Sequence, residues 1–246
     1  MQAKRAATKT LGPPLLALGL AACDAAAPQP AVTAAQCYTP AQLPVQAASP
    51  PDDIPDARAT GHVLALSWSP EFCRFRADAP EHAGQCRDNR FGFILHGLWP
   101  QSGAGPHPRA CAAARPVPQD VLRAHYCMTP SARLMQHEWA AHGTCAWEDP
   151  AAYYADAAML WDEYERPDLF GLSRREGLTA GDVRGAFVAA NDAMPPEAIG
   201  LDVNNRGWLE EVFLCLDLAY EPRPCAAREY GAADTQSISI WRGGGR

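Results

Sequence analysis

The apolar residues fall into short runs separated by polar or proline-bearing breaks. His62-Val63-Leu64-Ala65-Leu66-Ser67-Trp68, halted by Ser69-Pro70, reads as a strand. Phe91 to Leu95 reads as a second strand that delivers His96 at its end. Pro116 and Pro118 break the chain before a helical stretch from Gln119 to Tyr126. Leu134 to Cys145 predicts a helix loosened near its end by Gly143. Ala151 to Tyr164 and Ala180 to Asn191 predict two more, the latter stopped by Pro195-Pro196. Ile199–Val203 and Trp208–Leu218 read as strands, and no internal repeat is visible. Helices and strands mix without regular βαβ alternation. We therefore expect a single α+β domain over residues 61–246, with a central, mainly antiparallel sheet flanked by helices.

Before residue 61 the pattern changes. Residues 1–22 carry Lys4, Arg5 and Lys9, then the apolar run Leu15 to Ala22, and read as a secretory signal. The run is too short to span a bilayer as a mature helix, and no later segment is long and apolar enough. Leu20-Ala21-Ala22-Cys23 resembles the bacterial lipobox, which makes Cys23 the expected lipidation site. The alternative is a soluble exported chain cut nearby, with Cys23 incidental. Residues 23–60 then form an anchor cysteine and an Ala/Pro-rich linker, part of which Cys37 can tie down.

Nine cysteines is an odd number for an exported chain. Setting Cys23 aside leaves eight, enough for four disulfides in an oxidising compartment. No Cys-x-x-Cys pair is present, which argues against zinc ribbons and thioredoxin-like redox sites. Charge adds a second restriction. Residues 1–22 hold three of the 21 basic residues and none of the 28 acidic ones, leaving 18 against 28, or −10. Such a chain should not hold a nucleic acid through a broad basic surface. Both lysines lie within residues 1–22, so every later cation is arginine.

The candidate chemistry sits in His96-Gly97-Leu98-Trp99-Pro100 and in His137-Glu138-Trp139-Ala140-Ala141-His142-Gly143-Thr144-Cys145. Four residues apart on a helix, Glu138 and His142 share a face. A carboxylate beside an imidazole orients it and raises its pKa. His96, from a distant strand, can supply a partner acid. A base, an acid and an anion-stabilising group are what an RNA 2′-hydroxyl needs to attack its own phosphate, and no metal is required. The zinc-protease motif His-Glu-x-x-His is the main lookalike. Here His137 and His142 are five apart, about 140° round a regular helix, and cannot share one metal from it. A blander alternative is that His96 and His142 are simply packed, hydrogen-bonded residues.

These two segments resemble, almost letter for letter, the active-site segments of the ribonuclease T2 family. Leu64–Cys73, Gln101, and Glu211–Asp217 with Cys225 extend the resemblance from about His62 to Cys225. The resemblance implies a metal- and cofactor-independent endoribonuclease of low base specificity. It makes 2′,3′-cyclic phosphates from single-stranded RNA and hydrolyses them slowly to 3′-phosphates. His142 matches the general base, His96 the acid, His137 a phosphate-binding histidine and Glu138 a carboxylate supporting the transition state. Trp99 sits where the family stacks a base, with packing beside Leu98 as the alternative. Disulfides Cys111–Cys145, Cys215–Cys225 and Cys73–Cys86 are implied, which leaves Cys37 with Cys127.

One position departs from the family. Ala141 stands where a lysine usually stabilises the phosphorane, a loss worth roughly 10²–10³ in rate. Three outcomes are open. Another cation, Arg109 or Arg133, fills the space; the enzyme is slower; or the chain is a catalytically weakened relative acting as a binding or inhibitory partner. We expect a monomer that meets a membrane only through its lipid anchor, at the periplasmic face, or a soluble periplasmic or secreted form.

Overall fold

The computed structural model describes residues 37–47, 58–103 and 106–243. The signal segment and Cys23 lie outside the described residues. Four strands, β1 (Gly61–Trp68), β2 (Phe93–Gln101), β3 (Ile199–Val203) and β4 (Leu209–Leu216), form one sheet in the order β2-β1-β4-β3, with every neighbour antiparallel. Among the described residues, eight helices accompany it: α1 (Ser69–Cys73), α2 (Ala83–Cys86), α3 (Gln119–His125), α4 (Ala132–Ala141), α5 (Pro150–Glu163), α6 (Leu169–Leu172), α7 (Ala180–Ala190) and α8 (Ala227–Tyr230). The α+β expectation holds. Among the described residues no helix is long and apolar enough to cross a membrane.

Strand alternation gives the sheet two different faces. Leu64 and Leu66 of β1, Leu95 and Leu98 of β2, Leu201 of β3, and Val212 and Leu214 of β4 point to one side. There they join Leu122, Met135, Trp139, Tyr153, Leu160, Val183 and Phe187 from α3, α4, α5 and α7 in one core. The other side carries a small cluster of Val63, Ala65 and Cys215, edged by Trp99 and Phe213. The helix starts follow local chemistry. Ser131 and Asp149 accept hydrogen bonds from the free N–H groups that open α4 and α5. Thr179 and Asp182 form a reciprocal capping box on α7.

Two elements differ from their sequence expectation. β2 does not end before His96; it continues to Gln101 and carries the histidine in its interior. It is an edge strand, where proline is tolerated, so Pro100 does not stop it. Helix α4 ends at Ala141, and a separate 3₁₀ turn covers Gly143–Cys145.

Four disulfides join Cys37 to Cys127, Cys73 to Cys86, Cys111 to Cys145 and Cys215 to Cys225, the pairs implied by the resemblance. Residues 37–47, inside the stretch read as linker, pack on the domain. Leu43 enters the core, and Tyr38 exchanges backbone hydrogen bonds with the Asn89 side chain.

Arg184 of α7 is buried and fully engaged. Its guanidinium donates to the carbonyls of Ile199, Tyr230 and Ala232 at 2.7–2.8 Å and to Asp234 at 2.6 Å. It thereby holds the segment after α8 onto β3. Arg184→Ala would strand these acceptors, and we expect unfolding by urea to show a loss of about 3–5 kcal/mol. A loss below ~1 kcal/mol, the range of an ordinary surface substitution, would mean the clamp is dispensable.

Candidate active site

The site begins with an irregularity in the sheet. Ala65 pairs with Gly97, but Leu66 pairs with Leu95, so His96 is the extra residue of a β-bulge. Strict alternation from Trp99 back would point His96 into the core and turn Leu95 out of it. The bulge corrects this by one residue. Leu95 and Leu98 both stay buried, while His96, Gly97 and Trp99 share the opposite face. Glu211 and Phe213 of β4 lie on that same face, two strands away.

Glu138 comes from α4 and is 1% exposed. Its Oε2 accepts a 2.7 Å hydrogen bond from Trp99 Nε1 and lies 3.9 Å from His142 Nε2. Its Oε1 lies 3.4 Å from His96 Nε2. The carboxylate occupies the space a side chain on Gly97 would need: a Cβ there would sit 2.2 Å from Oε2. The glycine in the first segment is thus required by a residue of the second.

The two imidazoles are held in opposite protonation states. His96 Nδ1 is 2.5 Å from Glu211 Oε1, so both of its ring nitrogens face carboxylates. Only the doubly protonated ring can donate to both. Burial alone would depress its pKa, but the bonds to Glu138 and Glu211 outweigh burial and raise it to about 10. His142 follows α4 as its C-cap, and its N–H still bonds the Glu138 carbonyl at 2.9 Å. Its pKa does not rise as the neighbouring carboxylate leads us to expect: burial pushes it down to about 4, the Glu138 charge opposes this without overcoming it, and Arg109 reinforces it. Its Nδ1 is buried without a hydrogen-bond partner. Glu138 is itself kept below the usual carboxylate range, because the His96 contacts override its burial.

Trp99 packs on both rings, edge-on to His96 at 5.1 Å between centroids and stacked on His142 at 5.3 Å. It is half-buried, and its neighbours are these histidines and Phe213 rather than Leu98, which faces the core. His137 is exposed on α4 and makes no hydrogen bond among the described residues. Ala141 is buried, and its carbonyl accepts from the Ala110 N–H at 2.8 Å. This contact and the Cys111–Cys145 disulfide bring the loop after β2 alongside, placing Arg109 Nη1 3.5 Å from His142 Nε2. Arg133, the other cation considered, is exposed near the start of α4 and has no ion pair or hydrogen bond to these groups. Among the described residues, no three of His, Cys, Asp and Glu are grouped so as to hold a metal ion.

His96, Glu138, His142 and Trp99 therefore converge. Sequence reasoning gave no site role to Glu211 or Gly97. Glu211 was visible as the polar member of an alternating strand, Glu211, Phe213 and Cys215 against Val212, Leu214 and Leu216.

Residues 61–183, half of the chain, match the model of the ribonuclease T2 family. A probable ribonuclease of Haemophilus influenzae is 28% identical over 186 residues, 68% of this chain and 61% of its own. A ribonuclease of Aeromonas hydrophila is 36% identical over 116 residues, 46% and 50% of the two chains. This chain thus spans half to three-fifths of the length of those relatives. Among solved structures, trichomaglin, described as an S-like ribonuclease, superposes with a TM-score of 0.58 at 20% identity, covering 74% of this chain and 97% of its own. RNase NT in complex with 5′-AMP gives 0.57 at 20% identity, covering 74% and 98%. At that identity these structures speak to the fold. With the family model, the two-faced antiparallel sheet and the paired histidine segments in agreement, this chain belongs to the ribonuclease T2 family.

Proposed function

We propose that this chain is an exported, metal-independent endoribonuclease that cleaves single-stranded RNA by transphosphorylation. The observation that carries the proposal is the convergence of His96 and His142 on one buried carboxylate, with a second carboxylate, Glu211, against His96 alone, an arrangement that favours the charged form of one ring and the neutral form of the other. Such a split assigns acid and base roles. At neutral pH His142 is unprotonated and accepts the 2′-hydroxyl proton as that oxygen attacks phosphorus. His96 is protonated and gives its proton to the departing 5′-oxygen. The products are a 2′,3′-cyclic phosphate and a 5′-hydroxyl, with slower hydrolysis of the cyclic ester to a 3′-phosphate. Glu138 holds the His96 ring, lies beside His142 and balances the positive charge that moves between them. His137, exposed on α4 next to Glu138, receives a phosphate, and the exposed part of the half-buried Trp99 ring offers a stacking surface that suits any base. Low base specificity follows from stacking without edge recognition.

Four disulfides support export to an oxidising compartment. Cys23 is the proposed lipid attachment site. The protein would act as a monomer, with RNA as its substrate and the membrane met only through that anchor. A second reading, a weakened relative that binds rather than cleaves, is favoured by one observation, the absent cation at Ala141.

Incubating the purified exported chain with single-stranded RNA in excess EDTA separates the two. We expect cyclic-phosphate ends, and a fall in kcat/KM of roughly 10²–10⁴ in each of His96→Ala and His142→Ala. No cleavage anywhere between about pH 4 and 8, where His142 titrates and His96 keeps its proton, would leave the binding reading.

The pKa directions also fix the pH profile. kcat/KM of the free enzyme should rise as pH climbs through about 4, where His142 loses its proton. It should fall as pH approaches about 10, where His96 loses its own. Glu211→Gln removes one of the charges that hold the His96 proton, so the alkaline limb should move to lower pH and the acid limb should stay. An unmoved alkaline limb would separate Glu211 from the acid.

A further inference from the structure

We propose that Arg109 supplies the cation missing at Ala141, holding the non-bridging oxygens of the scissile phosphate as negative charge builds on them. This deepens the reading of the chain as a ribonuclease and rests on it.

The placement is built into the chain on both sides of the residue. Next after it, Ala110 adopts a left-handed backbone (φ 49°), uncommon for a residue with a Cβ, and donates its N–H to the Ala141 carbonyl at 2.8 Å. Cys111 follows and is bonded to Cys145. The loop is thereby fastened to the very residue where the family's lysine is absent, and to the turn just beyond His142. Arg109 is the last residue before these two ties. Its backbone is set by them, and its side chain places Nη1 3.5 Å from His142 Nε2.

The guanidinium has the right surroundings for an incoming anion. It is exposed, and among the described residues it is paired with no carboxylate. Arg74 and Arg206, by contrast, both pair with Glu71, and Arg184 with Asp234. The charge beside His142 opposes protonation of that ring in the empty site. A phosphate bound next to both groups offsets that charge. Guanidinium matches phosphate with two parallel N–H donors, so a longer side chain from an adjacent loop can take the place of an ammonium from the helix.

Two effects of Arg109 must be separated: binding the phosphate, and depressing the His142 pKa. Only the first changes the rate where His142 is already deprotonated. The test is kcat for cleavage of a dinucleoside phosphate such as CpA across pH, in wild type, Arg109→Ala and Arg109→Lys. Thermal melting should be unchanged, because the side chain is exposed. We expect Arg109→Ala to lower the neutral-pH plateau of kcat by roughly 10²–10³, the cost of removing one donor from a developing oxyanion. Its acid limb should also move to higher pH as the opposing charge is lost. Arg109→Lys, which keeps a cation without the fork, should stay within about tenfold of wild type. A plateau for Arg109→Ala within about threefold of wild type would overturn the assignment, leaving Arg109 only as a group that tunes His142. Failure of the wild type itself to cleave would overturn the ribonuclease reading and this inference with it, an outcome distinguishable from the preceding one.

Discussion

A carboxylate removed from water must find partners that replace the water. Glu138 finds two, the Trp99 indole N–H and the protonated ring of His96, with His142 3.9 Å away, so that three parts of the chain that differ in origin meet around it. Trp99 and His96 come from an edge strand, Glu138 from a helix and His142 from the turn that ends it. The requirement propagates outward. Gly97 must lack a side chain to admit the carboxylate, and α4 must run close to the free edge of β2. That edge is held in place by other contacts: the Leu98 N–H donates to the Tyr153 hydroxyl, and Leu95 exchanges bonds with Met128 and Thr129.

The bulge at His96 resolves a conflict between core and chemistry. A strand of unbroken alternation could bury Leu95 and Leu98 together only by abandoning the period of two. One extra residue lets both leucines face the helices and turns the histidine to meet Glu211. The same carboxylate environment then treats the two imidazoles differently. His96 has a carboxylate at each nitrogen and keeps its proton. His142 has one distant carboxylate, a nearby guanidinium and little water, and loses its own. Difference in partners, more than difference in burial, divides acid from base.

Much of this was legible in the residues. The apolar runs of β1 and β4, the capped helices and the separation of His137 from a metal-binding spacing all follow from period and turn chemistry. The two histidine strings carried His96, Glu138, His142 and Trp99 to the site. What escaped were features that depend on tertiary contact. β2 runs on past His96 through Gly97 to Gln101, and its tolerance of Pro100 rests on an edge position that only the sheet order reveals. The bulge leaves no local signal, since it is defined by the partner strand. Glu211 looked like an ordinary polar residue on an alternating strand until β1 set it two strands from His96. Arg109 was one of two arginines weighed, and the tie between Ala110 and Ala141 distinguishes it from Arg133.

The central claim is that the free protein already holds one imidazole charged and the other neutral around Glu138. Titrating the histidine ring signals by NMR in the absence of RNA tests it most directly, with His96→Ala and His142→Ala spectra to assign them. His96 should remain protonated well above neutral pH, and His142 should stay neutral down to about pH 4. Two signals that titrate together near the ordinary histidine value of about 6.5 would contradict the account.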